Sequence, residues 1–237
     1  MRTTTATTAT TTGAGLQSRD ALPARLLNYA ALHDAITRDL DRLERLTAWL
    51  AATGGPAGTD LLTLSRWWER FERCIVHHHE REDDLVFPLL AERGMPVDPV
   101  LTEDHHELDR LMATVRHLLV GSHGNDRRVA DPAGLAESAR ALREHMDDHL
   151  VREEAVVFPA HEAVLSEEDV VKMERQMRRG LSLGDLAFTA PWILDGAHPR
   201  VAAQVWADAP APLRVLYRLF WQRSYATVAA PILAVAR

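Results

Sequence analysis

Cys74-Ile75-Val76-His77-His78-His79-Glu80-Arg81-Glu82-Asp83-Asp84-Leu85-Val86-Phe87-Pro88 has a counterpart later in the chain, His145-Met146-Asp147-Asp148-His149-Leu150-Val151-Arg152-Glu153-Glu154-Ala155-Val156-Val157-Phe158-Pro159. Aligned on Phe-Pro, His78 matches His149 and Glu82 matches Glu153, so both copies read His-x-x-x-Glu. Residues four apart share one face of an α-helix, and each copy therefore aims an imidazole and a carboxylate in the same direction. A metal ion suits that arrangement.

The histidines upstream repeat as well. His33 precedes His78 by 45 residues and His105 precedes His149 by 44, which predicts two helical hairpins of one design. In the first helix Leu26, Tyr29, His33, Ile36, Leu40, Leu43, Thr47 and Leu50 keep the three-four spacing of a buried face. Thr53-Gly54-Gly55-Pro56 breaks it, and the second helix is expected to open near Thr59-Asp60. Its inner face carries Leu64, Phe71, Cys74, His78, Glu82, Leu85 and Leu89, with His77 outside among arginines. His79 falls between the faces in line with Asp83, so His79/Asp83 competes with His78/Glu82 for the site. Pro88 is expected to kink or loosen its turn.

Asp98-Pro99 reads as an N-cap and first-turn proline for a third helix that turns Leu101, His105, Leu108, Met112, Val115 and Leu119 inward. A polar loop over 121–134 leads to a fourth helix from about Pro132 to Glu162, with Leu135, Leu142, His145, His149, Glu153, Val156 and Ala160 facing in. Packed antiparallel, the hairpins enclose His33, His78, His105 and His149 with Glu82 and Glu153. Two cations, each with two imidazoles and bridged by both carboxylates, use all six groups and neutralise charges that would be costly to bury alone. Nitrogen and oxygen donors without thiolate suit iron, manganese or zinc. His145, one turn before His149, is left open as ligand, ligand partner or core residue.

The composition sets bounds on everything else. A formal charge of −7 with scattered arginines argues against nucleic acid and an anionic membrane as partners. One cysteine, Cys74, excludes an internal disulfide and fits a reducing cytoplasm, where the thiol reads as a small buried hydrophobe. Residues 1–20 read as a disordered Thr/Ala-rich tail, 21–163 as the bundle, and 164–237 as a C-terminal helical extension packed on it. In the extension, Ser166 to Asp169 resembles a capping box opening a helix to Arg179, and Leu183 to Leu194 and Leu213 to Tyr225 read as further short helices. No protein partner is indicated.

His33, His78-x-x-x-Glu82, His105 and His149-x-x-x-Glu153, with a Phe-Pro after each carboxylate motif, resemble the hemerythrin-like family, also called the HHE cation-binding domain, over about residues 21 to 163. The resemblance implies an all-α, antiparallel up-down four-helix bundle. It implies a non-haem di-iron centre, oxo- or hydroxo-bridged, with those six residues as ligands. The chain departs from the oxygen-carrying members, which have His-x-x-x-His on the third helix and an Asp as second bridge. The expected function is di-iron redox chemistry on dioxygen or hydrogen peroxide, with a non-enzymatic iron or oxygen sensor as the alternative.

Overall fold

The structure, a computed structural model, describes residues 16–54, 61–120 and 129–236. Residues 1–15, the expected start of the second helix at 59–60, and the loop residues 121–128 lie outside the described residues. Helix α1 spans Ala24–Thr53 and buries Leu26, His33, Ile36, Leu40, Leu43, Thr47 and Leu50. It ends where Gly54 turns left-handed (φ +71°) and donates its N–H to the Leu50 carbonyl, a conformation that costs glycine least. Helix α2 spans Leu61–Arg81, and after a π-helical segment at Glu82–Val86 the chain continues as α3, Phe87–Glu92.

A proline favours the π segment without dictating it, since Pro159 at the matching position of the second copy sits in unbroken α-helix. Pro88 has no N–H for the carbonyl four residues back, and its ring crowds that carbonyl. The turn before it widens, and Phe87 donates to the Glu82 carbonyl across five residues. One extra residue in the turn rotates everything after it. Val86, Phe87 and Leu90 are buried in place of the Leu85 and Leu89 expected from an unbroken α period, and both of those are only half-buried.

Helix α4 spans Val100–Val120, with Asp98 accepting from the Val100 N–H at 3.0 Å. Helix α5 runs Pro132–Val164, capped by Asp131, and carries Pro159 inside it without a break. The second copy is therefore plain α-helix where the first is bulged. Val156, expected to face inward on α5, is 41% exposed, and Val157 beside it is fully buried.

Helix α1 packs along α5, α5 along α4, and α4 along α2, giving the antiparallel four-helix bundle. Beyond it come α6 (Glu167–Met177), α7 (Leu183–Leu194), α8 (Pro199–Asp208), α9 (Ala211–Leu216), a second π segment (Tyr217–Trp221), α10 (Gln222–Val228) and α11 (Ala230–Leu233). Helix α8 was not anticipated, the 213–225 helix is split by the π segment, and α6 stops at Met177 rather than Arg179. The capping box of α6, Ser166 with Asp169, is present, and Ser182 with Asp185 repeats it on α7. Among the described residues there is no strand, and no helix is long and apolar enough to cross a membrane.

The C-terminal helices do more than cover the bundle. Helices α7 and α11 contact α1, and α10 and α11 contact α2. Their Trp192, Tyr225 and Ile232 join Ile36, Leu40, Trp67 and Phe71 in one continuous core. Trp192 meets the Phe71 ring edge-on at 5.7 Å and donates its indole N–H to Asp39 at 3.1 Å. The buried Asp39 carboxylate also accepts from Arg38 and Arg42, each at 2.9 Å. Trp192→Ala should therefore cost about 3–5 kcal/mol in a single cooperative urea transition. A midpoint left where it was would show that α7 is an appendage.

Candidate metal centre

His33 lies near the start of α1 and His105 near the start of α4, whereas His78 lies at the end of α2 and His149 in the C-terminal half of α5. Antiparallel packing brings all four to one level of the bundle. Glu82 and Glu153 join them, as does His79, and none of the seven residues is more than 6% exposed.

Their ligand atoms fall into two overlapping sets, each within 4.8 Å: His33, His78, Glu82 and Glu153; and His79, Glu82, His105 and His149. Glu82 belongs to both. Its Oε1 lies 3.1 Å from His78 Nε2 and its Oε2 lies 3.4 Å from His105 Nε2. Glu153 Oε2 lies 3.6 Å from His33 Nε2 and 3.4 Å from His149 Nε2. Two donors about 2.0–2.2 Å from a shared ion at near-tetrahedral or octahedral angles sit roughly 3.0–3.6 Å apart, which matches these spacings.

The donors also lack other partners. The Nε2 atoms of His33, His78, His79, His105 and His149, with one oxygen each of Glu82 and Glu153, are buried without a hydrogen bond. Orphaned buried polar atoms are rare, and seven gathered at one level of the bundle fit a bound cation. His79 therefore stands beside His78 among the candidate donors, together with the six residues chosen from sequence. Adjacent imidazoles about 100° apart on the helix both border the site, their ring centroids 5.6 Å apart. The second copy has Leu150 at the matching position, so matching the two copies hid His79.

Asp83 is not in either set. It accepts from the Thr102 hydroxyl at 2.7 Å and faces His105 Nδ1 at 2.9 Å. Its counterpart Glu154 faces His33 Nδ1 at 2.9 Å. Each carboxylate fixes its ring with Nδ1–H outward and the Nε2 lone pair inward, as metal-ligating histidines require. The Phe-Pro phenylalanines follow the same exchange: Phe87 stacks on His105 at 5.8 Å and Phe158 on His33 at 6.0 Å. Each hairpin thus orients and covers the leading histidine of the other. His145 is half-buried, its Nε2 3.6 Å from Asp104, whose other oxygen lies 3.5 Å from His149 Nδ1. His145 lies outside both sets.

Tyr29 closes the His33 side. Its hydroxyl lies 2.6 Å from Glu82 and 2.6 Å from Glu153, and its ring meets His33 and His78 edge-on. Burial and the two carboxylates raise its pKa well above the phenol range, so it stays a hydrogen-bond donor. Cys74 is pushed up to about 11 by burial and is a thiol, not a thiolate.

Burial, reinforced by neighbouring imidazoles, holds His78, His79 and His105 below the usual histidine range. Burial holds His161, outside the cavity, down at about 4. Burial raises Glu82, helped by the Glu153 charge. The lowered histidines take up protons only on unfolding, so below pH ~6.5 the unfolded chain binds more protons and stability falls with pH. Glu82 works in the opposite direction, together with the raised Glu72, Asp109 and Asp147 carboxyls, while the lowered Glu153 and Glu154 side with the four histidines. The metal-free protein should melt lower at pH 5 than at pH 7, by about 1.4 kcal/mol per pH unit for each net proton. Thermal melts in chelator across that range measure it, and a flat profile would contradict these burial effects.

The family model described as the hemerythrin HHE cation-binding domain matches the chain twice, over residues 28–124 and 97–185. The chain belongs to that family. The two matches overlap on α4 because the hairpins share one pattern, so the alignment can begin from either. The zinc finger protein BRUTUS of Arabidopsis thaliana is 28% identical over 169 residues, which is 71% of this chain and 13% of that protein. The chain therefore spans a small part of the length of the curated relative it matches. No solved structure matches it.

Proposed function

We propose that the chain holds two iron ions and that the pair binds or reduces dioxygen or hydrogen peroxide, in catalase-like or oxidase-type redox chemistry. The observation that carries this reading is the meeting of five imidazoles with unpartnered ring nitrogens and two carboxylates in sets that share Glu82. His33 and His78 with Glu82 and Glu153 form a set of two imidazoles and two carboxylates, nitrogen and oxygen donors of the kind that suit iron. His79, His105 and His149 with Glu82 form a second set of four, richer in imidazole. Manganese and zinc can take the same donors.

When bound, an iron pair supplies two electrons to an O–O bond. The protein's part is to place donors and control water. Asp83 and Glu154 hold the His105 and His33 rings in the ligating tautomer. Tyr29 holds a hydroxyl proton between the two carboxylates. Phe87 and Phe158 exclude solvent from the outer faces of His105 and His33. Small oxidants are the partners we propose, with neither nucleic acid nor a membrane, and the single cysteine supports a reducing cytoplasm.

A second reading, a non-enzymatic iron or oxygen sensor, is favoured by the hydrogen bonds that Gln17 and Arg19 make to Glu154. Anaerobic loading with ferrous iron, then dioxygen or peroxide, tests both. Two irons per chain with consumption of the oxidant and a near-ultraviolet charge-transfer band support the redox reading. Iron uptake without consumption supports the sensor, and a chain that takes up no iron excludes both.

A further inference from the structure

Residues 16–20, assigned from sequence to a disordered tail, are instead fastened to the metal-side machinery. Gln17 donates its backbone N–H to Glu154 Oε2 at 2.8 Å and its side-chain amide to the Glu154 carbonyl at 2.7 Å. The Arg19 guanidinium takes both Glu154 oxygens, at 2.9 and 2.7 Å, and reaches Asp34 at 2.9 Å. Arg19 is 6% exposed and Glu154 is fully buried. From outside, Arg200 of α8 holds the Arg19 and Asp20 carbonyls at 2.6 and 2.7 Å. Glu154 is the residue that orients His33.

Among the described residues the other half of the site shows no such clamp. Asp83, which serves His105 as Glu154 serves His33, receives a hydroxyl from Thr102 and has a 30% exposed side chain. The segment also borders a small groove floored by Leu26 and Phe158, and Phe158 is the ring that covers His33.

We propose that Arg19 is a positioning residue for the cation held by His33, acting through Glu154 so that filling of that position and docking of residues 17–22 become one linked event. The inference rests on the reading that these donors hold cations. A cation on Nε2 requires Nδ1–H and polarises it, which strengthens the bond to Glu154. Glu154 in turn keeps its position because Arg19 and Gln17 satisfy its remaining lone pairs. Linkage is reciprocal: if the ion favours the docked segment, the docked segment favours the ion by the same factor.

The test uses the full chain and zinc as a redox-silent probe, with calorimetric titration and amide hydrogen exchange. Zinc should slow exchange over residues 17–22 in the wild type. Arg19→Ala should weaken one of two zinc ions by about 10–100-fold, as losses of outer-shell partners do, and abolish that slowing. Arg19→Lys should recover part of the affinity, and Asp83→Asn should weaken the other ion while leaving the slowing intact. The proposal is overturned if Arg19→Ala binds both ions as the wild type does, if it loses both equally, or if wild-type exchange at 17–22 ignores zinc. That last measurement decides the matter even if Arg19→Ala does not fold. A wild type that binds no zinc or iron overturns the cation reading itself, a result distinct from intact binding without linkage.

Discussion

Glu82→Gln should remove both cations at once, whereas His33→Ala should remove one. Glu82 is the only side chain common to the two donor sets, and its oxygens point to opposite sides, one toward His78 and one toward His105. Glutamine keeps the volume but replaces an anionic bridge with a neutral amide that has one acceptor oxygen. The loss in affinity should exceed the roughly 100-fold that removal of an outer-shell partner costs at most. Titration should move from two ions per chain to none at micromolar metal. The metal-free variant should melt no lower than the wild type, because burial beside Glu153 already disfavours the Glu82 charge. Retention of two ions by the variant would rule out Glu82 as the shared ligand.

Loading the cations should raise the melting temperature by roughly 15–30 °C, and chelator should reverse it. A ligand that binds only the folded chain at about a thousand times its Kd adds about 4 kcal/mol per site. Near the midpoint, each kcal/mol moves a chain of this size by about 2–4 °C. The effect should be this large because five imidazoles and two carboxylates are gathered without protein partners for their inward atoms, a cost that folding bears until an ion arrives. The shift should shrink as pH falls, since protons compete for the imidazoles. A loaded chain that melts within a few degrees of the metal-free one would mean that these donors hold no ion tightly.

The bundle and most of its site could be read from the chain because both depend on period. His33, His78, His105 and His149 lie on apolar stripes, and a stripe at three-four spacing has to face inward. What period could not show came from departures from it. The π segment at Glu82–Val86 moved burial from Leu85 and Leu89 to Val86 and Leu90, and a wheel with fixed steps cannot contain that rotation. His79 was obscured because its counterpart is Leu150. Arg19 and Gln17 sit in a segment whose composition is that of a tail, and partners distant in sequence, Glu154 and Arg200, fix it. Helix α8 has neither a long apolar stripe nor a repeat partner to mark it.

The exchange of Asp83, Phe87, Glu154 and Phe158 between hairpins has a consequence for how the protein comes into being. A nascent or nicked chain that owns only residues up to α3 has His33 without the acid and ring that discipline it, and α4 with α5 alone leaves His105 equally unsupported. Ordered donors on both sides of the site thereby require both hairpins, so a fragment should take up cations more weakly than the whole chain. The duplication makes completion of the site depend on completion of the bundle.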